Sequence, residues 1–139
     1  MSEEFKQIST TNGFMKHNGG ILFRAISENE YEFKTTINEN HLNAAGITHG
    51  GFIAALVDAG AGTAAHRSAS GGPCVTVSLE LKFISVVKLG QELIGKTKIQ
   101  KKTKSMIFLT CEFTVEKKIV ATASGVWKIL RLSGAGPGG

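Results

Sequence analysis

From Gly50 to His66 the chain reads GGFIAALVDAGAGTAAH, and Asp58 is the only charge before the histidine. The stretch is too long and too rich in alanine for a strand. It predicts a helix of roughly four to five turns. Apolar all round, such a helix belongs at the centre of a core. Gly60 and Gly62 inside it each cost on the order of 1 kcal/mol against alanine. That cost is understandable where another backbone or a ligand must approach closely. A central helix needs a shell around it, and this requirement limits the folds open to the chain.

The shell is legible as strands. After the turn Ser70-Gly71-Gly72-Pro73, the residues Val75, Val77, Leu79, Leu81 and Phe83 point one way. Thr76, Ser78, Glu80 and Lys82 point the other, giving one apolar face. Three more strands follow, Glu92 to Lys101, Ser105 to Glu116 and Ile119 to Leu130. Upstream, Ile21 to Ile26 and Tyr31 to Ile37 read as a pair joined by Ser27-Glu28-Asn29-Glu30. Between Glu3 and Lys16, Phe5, Ile8, Phe14 and Met15 are spaced as on a further helix. Hairpin-length connections make an antiparallel sheet wrapped around the central helix the economical packing, an α+β fold. Residues 1–132 form one domain on this reading, and the SGAGPGG of Ser133 to Gly139 is a flexible tail.

At 139 residues, with 42% hydrophobic and 19% charged residues, the chain can bury a sizeable core and is not of the disordered class. No window nears the ~18 uninterrupted apolar residues of a membrane span. The acidic, polar start MSEEFKQIS is unlike a secretory signal. Cys74 and Cys111 lie in apolar alternating runs and read as reduced core thiols, so a cytoplasmic protein is expected. A net charge of +5 favours an acidic partner. Lys96, Lys98, Lys101, Lys102 and Lys104 cluster on one hairpin. They read either as a solvated edge or, with Arg67, as a clamp for phosphates. No aromatic residues interleave with them, which disfavours nucleic acid. His17, His41, His49 and His66 are scattered, without metal-ligand spacing.

Asp58 is the chemical candidate. An ionised carboxylate among apolar residues is costly unless paired, hydrogen-bonded or neutralised. The glycines at the helix start offer backbone N–H groups to an anion or oxyanion. Together they suggest acyl chemistry. On the residues alone, an ion pair of Asp58 with Arg67 or Lys82 stays open, as do a turn role for Asn43 and an ordinary strand role for Thr76.

The run NAAGITHGGFIAALVD, Asn43 to Asp58, resembles the phenylacetyl-CoA thioesterase-like branch of the hotdog-fold acyl-CoA thioesterases, and the likeness extends from about Leu42 to Leu130. The resemblance implies a six-stranded antiparallel sheet curled around one long helix, with dimers joined edge to edge and commonly paired into homotetramers. It implies that Asp58 is the catalytic carboxylate and that the Gly50 N–H forms the oxyanion hole. Asn43 would position the substrate or water, Thr76 would assist the nucleophile, and His49 would orient the loop or contact the thioester region. Arg67, Lys88, Lys101, Lys102 and Lys104 become candidates for the phosphates of coenzyme A, which is part of the substrate; no separate cofactor or metal is implied. Val86 replaces a proline common in the family, and Thr103 replaces a turn glycine.

Geometry adds an expectation of its own. Gly50 and Asp58 are separated by eight residues of helix, roughly 12 Å along its axis. Both must come within ~3 Å of one carbonyl group or its water. One helix cannot do this, so either the pairing is wrong or the site is built from two chains. The second option predicts an obligate homodimer, with Gly50 and Asn43 from one chain and Asp58 and Thr76 from the other, the division that the resemblance also implies. The alternatives are a non-catalytic acyl-CoA-binding module, which would not need Asp58, and a hotdog dehydratase, which wants a histidine in a different spacing. The acyl group stays open among phenylacetyl, hydroxybenzoyl and fatty acyl.

Overall fold

The computed structural model describes residues 3–130; the tail expected at Ser133 to Gly139 lies outside them. The strands are β1 (Lys6–Gln7), β2 (Leu22–Ala25), β3 (Glu30–Thr36), β4 (Cys74–Phe83), β5 (Glu92–Lys102), β6 (Met106–Val115) and β7 (Lys118–Ile129). They form one sheet in the order β1-β2-β3-β5-β6-β7-β4, antiparallel at every pairing. Six of them are the six read from the sequence. The seventh, β1, falls inside the expected N-terminal helix, of which only α1 (Phe14–His17) forms. Lys6 and Gln7 instead pair with Phe23 and Leu22 of β2. The Phe5 ring lies 4.2 Å from the Arg24 guanidinium and 4.3 Å from the Lys34 ammonium. Contacts to the sheet thus override a helical spacing that short segments sustain poorly alone.

The sheet curls around a continuous helix made of α2 (Gly50–Leu56), a π-helical segment (Val57–Ala61) and α3 (Gly62–Ser68). Leu56, Val57, Ala61, Ala64 and Ala65 are buried against Phe33, Leu93, Leu109, Phe113 and Trp127. The helix is not buried all round, as its composition suggested. Gly51 and Asp58 are exposed, and Ala54 and Ala55 between them are only half-buried. These four positions follow the i, i+3, i+4, i+7 spacing of one helix face, which this single chain leaves uncovered. A run of small apolar residues cannot tell a face that meets its own sheet from one that awaits another surface. No helix among the described residues is long and apolar enough to cross a membrane.

β4 lies at the end of the strand order, with one edge unpaired. Its pairing with β7 slips between Thr76, opposite Trp127, and Ser78, opposite Val126, so Val77 is the extra residue of a bulge. A bulge interrupts the two-residue alternation and re-aims side chains. Leu79 and Leu81 pack on the core, whereas Glu80 and Lys82 face the outer side of the sheet with Lys96, Lys98 and Glu112. Unbroken alternation would have put Thr76 on that outer side. Across the bulge it turns inward, toward the helix.

Candidate active site

The helix start is held by its own cap and by the loop before it. His49 Nδ1 accepts the Gly51 N–H at 2.7 Å, and the His49 carbonyl accepts those of Phe52 and Ile53. Among the described residues no acceptor takes the Gly50 N–H. The preceding loop is pinned by His41, whose buried ring stacks on Phe52 with centroids 3.7 Å apart. His41 Nδ1 accepts the Asn38 N–H at 3.0 Å, Nε2 donates to the Asn18 carbonyl at 2.6 Å, and its own carbonyl accepts the His49 N–H. Thr48 donates both its N–H and its hydroxyl to the Val87 carbonyl, at 2.8 and 2.7 Å. Asn43 Oδ1 accepts the Ala45 and Ile47 N–H groups at 2.9 and 3.3 Å, closing a tight turn. The oxygen is thereby committed, and the Asn43 amide hydrogens stay available. Asn43 and Gly50 line one cavity of about 290 Å³ with Phe83, Ile84 and Val86. A Cβ on Gly50 would stand 3.3 Å from the Phe83 ring, so the residue admits close approach as glycine.

Asp58 and Thr76 line a different cavity, of about 430 Å³, with Gly62, His66, Cys74 and Trp127. Asp58 sits in the π-helical segment, a local widening of the helix that recurs at functional sites. Thr76 Oγ1 donates to Asp58 Oδ1 at 2.6 Å. Neither cation considered as an ion-pair partner is present: Arg67 is 2.6 Å from Glu3, and Lys82 is 3.3 Å from Glu80. The Arg67 guanidinium, hydrogen-bonded to Glu3 and helped by the Ala25 N–H, holds that carboxyl below its ordinary value. The structure therefore joins Asn43 to Gly50, and Asp58 to Thr76, in two separate places.

The five-lysine cluster divides. Lys96 and Lys98 lie on the outer sheet face, where Lys96 is 4.0 Å from Glu32. Lys102 reaches the end of α3 and donates to the Ser68 carbonyl at 2.6 Å. Lys88, Lys101 and Lys104 are exposed, with no acid in ion-pair distance among the described residues. Nor do those residues include three or more His, Cys, Asp or Glu side chains grouped to hold a metal ion.

His41, Thr48, His66, Cys74 and Trp127 were not recognised from the sequence as part of this arrangement. Only His66 left a signal, since Asp58, Gly62 and His66 recur at intervals of four on the helix. The two thiols are expected to differ sharply. Burial pushes the Cys111 thiol up to about 12, and raises that of half-buried Cys74 by a smaller amount. Iodoacetamide at pH 8 should label Cys74 slowly and leave Cys111 untouched until the protein unfolds, as peptide mass spectrometry will show. Folding stability should also fall between the ordinary thiol value of 9.0 and about 12, where only the unfolded Cys111 ionises. The slope is at most ~1.4 kcal/mol per pH unit. Cys111→Ala should flatten that part of a urea-denaturation pH series.

The family model of the thioesterase superfamily matches residues 45–122. A Pseudomonas aeruginosa protein, provisionally named an esterase, is 30% identical over 128 residues, spanning 91% of this chain and 96% of the relative. Human acyl-coenzyme A thioesterase 13 is 26% identical over 114 residues, 82% of this chain and 81% of the relative. Among solved structures, zebra fish thioesterase superfamily member 2 superposes with a TM-score of 0.79 at 22% identity, covering 87% of this chain and 89% of that one. A Streptococcus pneumoniae hypothetical thioesterase crystallised with coenzyme A has a TM-score of 0.73 at 19% identity, covering 91% and 96%. The hotdog arrangement that the resemblance implies is the fold these structures share, with seven strands here rather than six. Since the model match takes in more than half of the sequence and the bacterial relative aligns almost end to end, the chain belongs to the thioesterase superfamily.

Proposed function

We propose that the protein hydrolyses acyl-CoA thioesters at a site shared between two copies of the chain. The observation that carries this reading is the division of the site. Asn43 and the unbonded Gly50 N–H line one cavity, while Asp58 and Thr76 line another, and neither pair alone can complete the reaction. The means of joining them is also present. The unpaired edge of β4 carries Val75 and Val77, 43% and 55% exposed, and Phe83, 58% exposed, begins the segment that lines the Gly50 cavity. An exposed apolar edge strand invites pairing. Antiparallel pairing of Cys74–Phe83 with its own copy about a two-fold axis sets Cys74 of one chain beside Phe83 of the other. The Asp58–Thr76 half of each chain then meets the Gly50–Asn43 half of its partner. The uncovered helix face from Gly51 to Asp58 is buried in the same step.

In this site the thioester oxygen accepts the Gly50 N–H, reinforced by the positive end of the helix. The Asn43 amide orients the oxygen or the water, and His49 holds the turn. Thr76 occupies one oxygen of Asp58 and leaves the other for chemistry. Asp58 either removes a proton from water as it attacks the carbonyl carbon, or attacks directly to give a mixed anhydride that water cleaves. In either route the C–S bond breaks, the coenzyme A thiolate leaves and takes up a proton, and the free acid remains. Lys88, Lys101 and Lys104 offer uncommitted ammonium groups to the coenzyme A phosphates. Arg67 and Lys102 would first have to release Glu3 and the Ser68 carbonyl.

Subunit mixing tests the whole reading. Asp58→Ala and Asn43→Ala homodimers should each release little thiol from acyl-CoA. Unfolded and refolded together, they should recover about a quarter of wild-type activity, because half of the random dimers are mixed and each holds one intact site. No recovery from correctly assembled mixtures would mean that Asn43 and Asp58 do not act together across two chains, and would overturn the proposal.

A further inference from the structure

Trp127 is the sole tryptophan of the chain and is 1% exposed, yet among the described residues no acceptor takes its indole N–H. A buried indole N–H ordinarily finds a partner. Thr97 Oγ1 is the one side-chain atom there that is both fully enclosed and without a partner. The indole nitrogen is therefore not sealed in the core. It opens into the cavity that Trp127 lines with Asp58, Gly62 and Thr76. Trp127 stands directly opposite Thr76 across the β4–β7 pairing, so the two side chains share a face of the sheet. Thr76 in turn holds Asp58 Oδ1 at 2.6 Å and leaves Oδ2 free. Gly62 follows Asp58 by four residues, about 6 Å along the helix axis. A Cβ there would meet Trp127 Nε1 at 3.3 Å, so the glycine keeps the space in front of the N–H open. One water molecule making two hydrogen bonds of about 2.8 Å spans such a gap.

Resting on the thioester-hydrolysis reading, we infer that the Trp127 N–H holds the attacking water over Gly62 and in front of Asp58. The water oxygen accepts from Nε1, one of its hydrogens is donated to Asp58 Oδ2, and its second lone pair faces the thioester carbon. As the oxygen bonds to that carbon, Asp58 takes the donated proton. The C–S bond then breaks, and the departing coenzyme A thiolate regains the proton. A neutral donor suits this place. An ammonium group would pair with Asp58 and weaken it as a base, whereas the indole N–H orients the water without adding charge. Gly62 belongs to the same device, because a side chain there would fill the water's position. Water, not the carboxylate, is the attacking group, so single turnover in ¹⁸O-water leaves Asp58 unlabelled.

The test compares thiol release from acyl-CoA by wild type, Gly62→Ala, Trp127→Phe and a protein whose one tryptophan is replaced biosynthetically by benzothienylalanine. That analogue keeps the shape of the indole and carries sulfur in place of the N–H. Each change should lower kcat about tenfold, the upper end for one neutral hydrogen bond, with KM within twofold of wild type. The urea midpoints of Gly62→Ala and of the analogue protein should stay near wild type. A purely structural role for Trp127 would spare the isosteric analogue, which therefore separates packing from hydrogen bonding even if Trp127→Phe folds poorly. Wild-type kcat in the analogue protein or in Gly62→Ala, or a raised KM at unchanged kcat, overturns the water-holding role and leaves the thioesterase reading intact. So does label in Asp58 after single turnover. No hydrolysis of any acyl-CoA by assembled wild type overturns both.

Discussion

Asp58→Ala is expected to lower acyl-CoA turnover by at least about a thousandfold, within the range for loss of a general base and below that for a nucleophile. The chain should still fold, because Asp58 is exposed in the single chain and its one side-chain hydrogen bond is to Thr76. Thr76→Ala should cost far less. A hydrogen bond to a charged group contributes roughly 1.5–3 kcal/mol, or about ten- to 150-fold in rate if all of it serves the transition state. Ordered effects of Asp58→Ala greater than Thr76→Ala, at unchanged oligomeric state, identify the carboxylate as the reacting group and the hydroxyl as its orienter. Single turnover in ¹⁸O-water then separates the two routes: label enters Asp58 only if the carboxylate attacks and water cleaves the anhydride at the side-chain carbon. An Asp58→Ala protein within tenfold of wild type on a hydrolysed substrate would remove Asp58 from the chemistry.

The elements that repeat regularly were readable in the sequence. Alternation located the six long strands to within a residue or two, and alanine content located the central helix. What depends on one residue or on another surface was not. The bulge at Val77 has no local mark, yet it reverses the face of Thr76 and so decides whether that residue can reach Asp58. Strand β1 is set by pairing with β2, which its own spacing does not encode. The carboxylate was legible as an oddity in an apolar run, but its exposure was not, because an all-apolar run does not reveal which helix face the chain's own sheet leaves open. The hairpin lysines looked like one cluster because strand neighbours alternate between faces and the loop continues beyond them; in space they divide. Gly60 and Gly62 read alike in the sequence and differ in their surroundings.

That difference gives the largest expected effect on stability. A Cβ on Gly60 would lie 2.5 Å from Phe33 Cγ and Cδ2, whereas on Gly62 its nearest neighbour would be Trp127 Nε1 at 3.3 Å. Phe33 is fully buried and meets Phe113 edge-on, with centroids 5.6 Å apart. It has no room to retreat, since a Cβ on Gly95 of β5 would stand 2.5 Å from its Cζ. The ring is clamped between helix and sheet by two glycines. Helix propensity alone would make Gly60→Ala stabilising by about 1 kcal/mol. Overpacking a closed core costs about 1–3 kcal/mol, and a clamped ring belongs at the upper end. The clamp should win: Gly60→Ala is expected to destabilise by about 2 kcal/mol net, and Gly62→Ala to stay near neutral. Phe33→Leu should relieve the clash, so the double variant Gly60→Ala with Phe33→Leu should be more stable than the sum of the single losses by at least ~1 kcal/mol. Urea denaturation of the four proteins measures this directly. A Gly60→Ala midpoint above wild type would mean that the ring yields freely and that backbone propensity, not the Phe33 clamp, explains the glycine.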